Sequence, residues 1–397
     1  MSKFPIIKDE EFAARVKALR KKMSADGIDL CVAFSNLLDP SAVRYFCDFA
    51  AVNESAALIV PLDGQITVCS GQASYDYALI KNRLKDAEIK VFPEIGEVSG
   101  FEYNFEGQLD FEKYFAELKS KYNIKKIGLM GKLIFPAVIY NKLSRVFAGA
   151  EIVDLDNGLY ELRLIKSRNE LACMKKSAEM ISKVFAKAVP KIREGMTERK
   201  IQALFEYEIY SAGAEAWVQA FAPMITTGNV NSHISMCHSS LRQVRKSEIV
   251  NIAAGLSYEG YNSIICSPYV LGDIPAEIRN AVKCAYDALN EAAGKMKPGV
   301  TCDVVLKTYT NYLKKYGYLD YCPYGSLHST GMLECEAPVF SVENRREIRE
   351  NMTICIDAYF KGLPWGSFRI EDVYIIEKSG AKRITTYNDK FIPGYFK

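Results

Sequence analysis

Two stretches decide how this chain is to be read: "IREGMTERKIQALFEYEIYSAG" (192–213) and "MKPGVTCDVVLKTYTNYLKKYG" (296–317). Each runs apolar, basic, any residue, Gly, apolar, Thr, then an amphipathic segment that stops on Gly. Gly195 and Gly299 lie 104 residues apart. Thr197 and Thr301 are placed to N-cap the two helices, and Gly213 and Gly317 to end them. Each copy is preceded by a further helical segment and followed by strand-like ones. Two helices and some strands, occurring twice, predict a domain with internal pseudo-twofold symmetry.

Working outward, the chain of 397 residues is too long for one ordinary core, so a second domain is expected. Before residue 155, "DLCVAFS" (29–35), "AALIVPL" (56–62), "ITVCSG" (66–71) and "KIGLMG" (126–131) read as buried strands. They alternate with the helical segments 9–25, "YDYALIKNRL" and "FEKYFAELKSKY". The expected organisation is an α/β domain over 1–155 and a larger α+β domain over 156–397. Ser167, with Glu170 three positions on, has capping-box spacing for the helix that opens the second part.

Composition excludes several function classes. There are 51 basic and 48 acidic residues, net +3, and no long Lys/Arg run, so nucleic acid is not expected as a partner. No stretch reaches the roughly 18 apolar residues of a membrane helix, and the charged N-terminus has no signal-peptide core. Eleven cysteines, odd in number and without a C-x-x-C, fit reduced thiols and a cytoplasmic protein.

The residues able to do chemistry gather in the second part. Only three histidines exist: His233 and His238 in "TTGNVNSHISMCHSS" (226–240), and His328 in "YGSLHSTGMLECEAP" (324–338). Asp357 ends the apolar run "TICI", and Glu371 stands shortly before "VYII". A carboxylate in such a strand is costly to bury unless it is paired, hydrogen-bonded or metal-bound. "NIAAGLSYEGYNSIICSPYVLGD" (251–273) reads as a two-stranded hairpin.

These segments carry a resemblance. "LHSTGMLECEAP" (327–338), "NMTICIDAYF" (351–360), "FRIEDVYIIEKSG" (368–380), "GYNS" (260–263) and "LRLIKSRNELACMKKSA" (162–178) are similar to motifs of the creatinase, prolidase and aminopeptidase P superfamily, peptidase family M24. The resemblance implies a pita-bread domain of two pseudo-symmetric halves, preceded by a smaller α/β domain, and a homodimer.

It also implies a site. Metal-dependent members hold two divalent ions with two Asp, one His and two Glu. The two Asp positions fall on Ala253 and Ile264, the His on His328, and the two Glu on Asp357 and Glu371. A further family His falls on Cys335, and a family Glu on Glu336, with Glu334 expected to be exposed. A pair of hard ions needs bridging carboxylates, which alanine and isoleucine do not supply. The expected cofactor is therefore none, the alternative being one divalent metal, Mn or Zn, held by His328, Asp357 and Glu371.

Creatinase sets the expected chemistry: metal-independent hydrolysis of a C–N bond in a small amino-acid-derived substrate. One of His238 and His233 would be the base, with His328 as donor or shuttle. The base position falls by count on Met236, between those two histidines. Asp357, Glu371, Glu336 and Cys266 would line the substrate, Cys266 occupying a creatinase glutamate position. The alternatives are a metal-dependent Xaa-Pro dipeptidase or aminopeptidase P relative with a reduced site, or a non-catalytic small-ligand-binding protein.

Overall fold

The computed structural model describes residues 4–97, 109–215, 222–234, 236–323, 327–341 and 343–397. The chain forms two compact units, residues 7–163 and residues 1–6 with 164–397. The boundary falls a few residues later than the sequence pattern suggests. The helix that follows the last strand of the first unit, Asp156–Leu164, runs to the junction itself.

The first unit contains helices α1 (Asp9–Asp26), α2 (Ser41–Cys47), α3 (Tyr75–Lys81), α4 (Phe111–Lys121), α5 (Ala137–Val146) and α6 (Asp156–Leu164). Its strands are β1 (Leu30–Ser35), β2 (Ala56–Pro61), β3 (Thr67–Ser70), β4 (Glu88–Val91), β5 (Lys126–Met130) and β6 (Glu151–Asp154). They form a mixed sheet in the order β4-β3-β2-β1-β5-β6. Leu30, Val32 and Phe34 pack with Phe111, Phe115 and Leu143 of α4 and α5 on one face.

The second unit opens with α7 (Arg168–Ala188), whose Ser167 and Glu170 make the expected capping box. Then come α8 (Glu198–Ser211), β7 (Met224–Thr227), α9 (Gly228–Asn231), β8 (Ile249–Tyr258) and β9 (Tyr261–Val270). The second half brings α10 (Ala276–Lys295), α11 (Cys302–Lys315), β10 (Leu327–Ser329), β11 (Glu336–Val339), β12 (Thr353–Leu363), β13 (Gly366–Glu377), β14 (Gly380–Arg383) and α12 (Tyr387–Tyr395). One sheet runs β11-β10-β12-β13-β9-β8-β7, with β14 beside β13. Among the described residues its neighbouring strands pair antiparallel.

The repeat seen in the sequence is a repeat in space. Gly195 N donates to Val244 O at 3.0 Å, and Gly299 N to Ile348 O at 2.9 Å. Thr197 bridges Gln243 and Thr301 bridges Glu347. Every partner in the second set is the first shifted by the same 104 residues. Gly195 and Gly299 have φ of 79° and 87°, the left-handed region open to glycine. The caps differ: Thr197 accepts from Lys200 N, whereas the Thr301 hydroxyl donates to Asp303 instead.

Strand alternation divides the large sheet into two faces. Ile354, Ile356, Ala358 and Phe360 of β12, with Phe368, Ile370, Tyr374 and Ile376 of β13, enter a core built with α10 and α11. The intervening residues, Cys355 and Asp357 on β12 and Ser367, Arg369 and Glu371 on β13, therefore share the opposite face. Among the described residues no helix is long and apolar enough to cross a membrane, and none of the eleven cysteines is in a disulfide.

Candidate functional site

Register assembles the site on that opposite face. Ala253 lies across from Cys266, Cys266 from Glu371, and Glu371 from Asp357, four strands in one row. His328 lies across from Cys355, two residues from Asp357 along β12. Residues on neighbouring strands in register project to the same side, so five strands from four separate sequence segments converge.

His328 is the hub. Its Nδ1 lies 3.0 Å from the carbonyl oxygen of Ser329. A carbonyl only accepts, so Nδ1 carries the hydrogen and Nε2 is left to face the carboxylates. Nε2 is 3.3 Å from Glu334 Oε1 and 3.6 Å from Glu371 Oε1. At 3.6 Å the Glu371 contact is an attraction of charges, and Glu371 Oε1 is buried without a hydrogen-bond partner.

Electrostatics follow from this crowding. Burial pulls the His328 pKa down, but Cys335, Glu371 and Glu334 beside it outweigh that, and the net shift is well above the ordinary value. Burial pushes Glu371 up, yet His328 and Arg369 together bring it below the ordinary carboxylate range. Glu334 is pushed up to about 8, first by burial and then by the charge of Glu371.

The neighbours hold these groups in place. Cys266 donates its Sγ–H to Glu371 Oε2 at 3.2 Å. Its thiol is pushed well up by burial and then by the Glu371 charge, so it stays protonated. Cys266 is thus a buried donor that fixes Glu371 rather than a group facing a substrate. Asp357 was expected to hold a cationic substrate, but its Oδ1 already lies 3.4 Å from Arg369 Nε. Arg369 in turn stacks over the Tyr359 ring, 5.1 Å from its centroid.

Glu336 is likewise spoken for. Its Oε1 accepts from the backbone N–H groups of Met332 and Leu333 at 2.7 and 3.0 Å, and Oε2 lies 3.5 Å from Lys166 Nζ. Gly331 permits this close loop, since a Cβ there would meet Glu336 Oε2 at 3.0 Å. Glu336 therefore shapes the turn that returns Glu334 to His328. Glu334 itself, expected at the surface, is largely enclosed. Glu336→Gln is expected to lower stability by about 1.5–3 kcal/mol, the range for a charge-assisted hydrogen bond, measured by denaturant unfolding.

The two other histidines separate. His233 Nδ1 is hydrogen-bonded to Ser367 Oγ at 2.5 Å. Ser367 and Glu371 share a face of β13, four residues or roughly 13 Å apart along the strand. His238 is exposed in the same loop. Residues 324–326, at the start of the His328 segment, lie outside those described.

Two groups of donor atoms lie close enough to hold one ion: His328, Cys355 and Glu371, and His328, Glu334 and Cys335, each within 4.8 Å of one another. Glu371 Oε1, buried without a hydrogen-bond partner and 3.6 Å from His328 Nε2, fits a cation that takes the place of the proton on that nitrogen. A second ion fits poorly, because Ala253 and Ile264 are 4% and 1% exposed and carry no donor atom. Cys355 was not singled out from sequence, and Glu334 was expected at the surface. Only the returning turn and the β10–β12 register reveal them.

Comparison with known proteins bears on the cofactor. A family model for metallopeptidase family M24 matches residues 172–378, and one for the creatinase/prolidase N-terminal domain matches residues 15–165. The chain is 27% identical over 373 residues to an Xaa-Pro dipeptidase of Pyrococcus furiosus, covering 94% of this chain and 97% of that one. It is 29% identical over 275 residues to an Xaa-Pro dipeptidase of Pyrococcus horikoshii, covering 69% and 77%. The fold is that of an X-Pro aminopeptidase structure from Thermotoga maritima, with a TM-score of 0.81 at 21% identity, covering 94% and 97%. The metallopeptidase match overturns the expectation of no cofactor and of metal-independent hydrolysis. That expectation counted only the family's own ligand positions, and the fold supplies donors from others.

Proposed function

The chain belongs to metallopeptidase family M24, and on that premise we propose that it is a metal-dependent hydrolase of Xaa-Pro dipeptides working with one divalent ion. Hydrolysis of a C–N bond in a small peptide is the activity its relatives' names carry, and the Pyrococcus furiosus relative matches 94% of the chain. The observation that carries the one-ion reading is the buried Glu371 Oε1, without a hydrogen-bond partner and 3.6 Å from His328 Nε2.

His328 and Glu371 would hold the ion. When bound, it supplies a Lewis acid for the scissile carbonyl and a water that ionises near neutral pH. Glu334, 3.3 Å from His328 Nε2, is the nearest carboxyl to exchange a proton with the reacting group. His233, oriented by Ser367, stands further along the same face, where it can hydrogen-bond the peptide. Cys266 keeps Glu371 in one rotamer.

The test is a panel of Xaa-Pro dipeptides, other dipeptides, amino-acid amides and guanidino acids, assayed after metal depletion and again with Zn²⁺, Co²⁺ or Mn²⁺ added. Turnover confined to Xaa-Pro dipeptides and to the metal-loaded protein is expected. Turnover of a guanidino acid, or of any substrate by the depleted protein, would overturn this function.

A further inference from the structure

The family pattern places its third ligand on Asp357, but Asp357 falls outside both groups of donor atoms close enough to share an ion. The reason is physical. Aspartate is one methylene shorter than the glutamate of the pattern, and Arg369 engages it at 3.4 Å. Two residues earlier on the same face of β12, Cys355 stands across from His328 in register. Its Sγ lies within 4.8 Å of the His328 and Glu371 donor atoms. Cys355 and Glu371 are both fully buried.

We propose that Cys355 is a metal ligand in this chain, and that the ion it helps to hold with His328 and Glu371 is thiophilic, Zn²⁺ in preference to Mn²⁺. The inference rests on the one-ion reading above and changes its donor set from nitrogen and oxygen to nitrogen, oxygen and sulfur. Charge supports it. A divalent ion bound by a neutral imidazole, one carboxylate and one thiolate is neutral overall, the least costly state for an enclosed centre. On binding, the Cys355 Sγ–H bond breaks, its electron pair goes to the ion, and the proton leaves to solvent. Thiolate ligation favours zinc over hard ions such as manganese, which take oxygen donors. Ala253 and Ile264 remove two hard carboxylates from the neighbouring positions, a change in the same direction.

The experiment uses the full chain loaded with Co²⁺ as a spectroscopic probe, and separately with Zn²⁺. Cobalt should show a thiolate-to-metal charge-transfer band in the near ultraviolet. The band should persist in Cys335→Ser and Cys266→Ser and vanish in Cys355→Ser and His328→Ala. X-ray absorption at the zinc edge of the unaltered protein should show one sulfur at about 2.3 Å, a reading that needs no variant to fold. Competition between Zn²⁺ and Mn²⁺ should lose at least about tenfold of its zinc preference in Cys355→Ser. Cobalt bound with only nitrogen and oxygen ligands, or a band lost in Cys335→Ser and kept in Cys355→Ser, would overturn this proposal and leave the one-ion reading standing. No cobalt bound at all would remove both.

Discussion

Glu371→Gln is expected to reduce kcat/KM on an Xaa-Pro dipeptide by roughly 10³-fold or more while the protein stays folded. The carboxylate is the charged partner of His328, and its Oε1 is buried without a hydrogen bond. An amide keeps the shape and one acceptor but removes the charge that would hold a cation. Losing several kcal/mol of electrostatic stabilisation at the reacting carbonyl accounts for that factor. Cys266 can still donate to the amide oxygen, so the melting temperature should move little. Kinetics, bound-metal analysis and a thermal melt on the same sample check the prediction. Activity within tenfold of the parent would place the centre elsewhere.

Ile264→Asp should have the largest effect on stability, and its sign should depend on metal. Ile264 is 1% exposed and stands two residues from Cys266 on the same face of β9. An aspartate there adds a buried anion near Glu371, which without a partner costs about 3–5 kcal/mol. For a domain of this size that is a fall of roughly 10 °C in Tm. The same position is where the family pattern places a metal-binding Asp. Added Mn²⁺ should therefore restore most of the loss, since an ion that binds only the folded form raises its stability. Melts in chelator and in Mn²⁺ decide the matter. A variant as stable as the parent in chelator would mean the position is wetter than its burial implies.

How much of this was legible in the sequence depends on whether the signal is local. The loop-to-helix repeat was readable because Gly195 and Gly299 each need a backbone conformation that glycine adopts freely, and each sits a fixed distance before a capping Thr. The buried strands of β12 and β13 were readable from unbroken apolar runs, and those runs made Asp357 and Glu371 conspicuous. Which of two adjacent acids faces the site was not written there. Asp372 follows Glu371 directly, and alternation turns it to the helix side, where it meets Thr385 and Arg383. Glu334 looked like a surface residue because nothing local reports that Glu336 binds two backbone N–H groups and folds the turn over His328. Cys355 carried no signal at all until the pairing of β10 with β12 set it opposite His328. Matching family positions one by one found two ligands missing, and left uncounted the donor atoms of Glu334 and Cys355, which stand close to His328.

The central claim is one ion serving one catalytic centre, and a reconstitution titration tests it most directly. The full chain is stripped of metal, shown to be inactive on an Xaa-Pro dipeptide, and titrated with Zn²⁺ or Co²⁺ while turnover and bound metal are followed together. Activity should rise linearly and break at one equivalent per chain, and His328→Ala should show neither the break nor the activity. Full turnover by the stripped protein, or a break at two equivalents, would contradict the account.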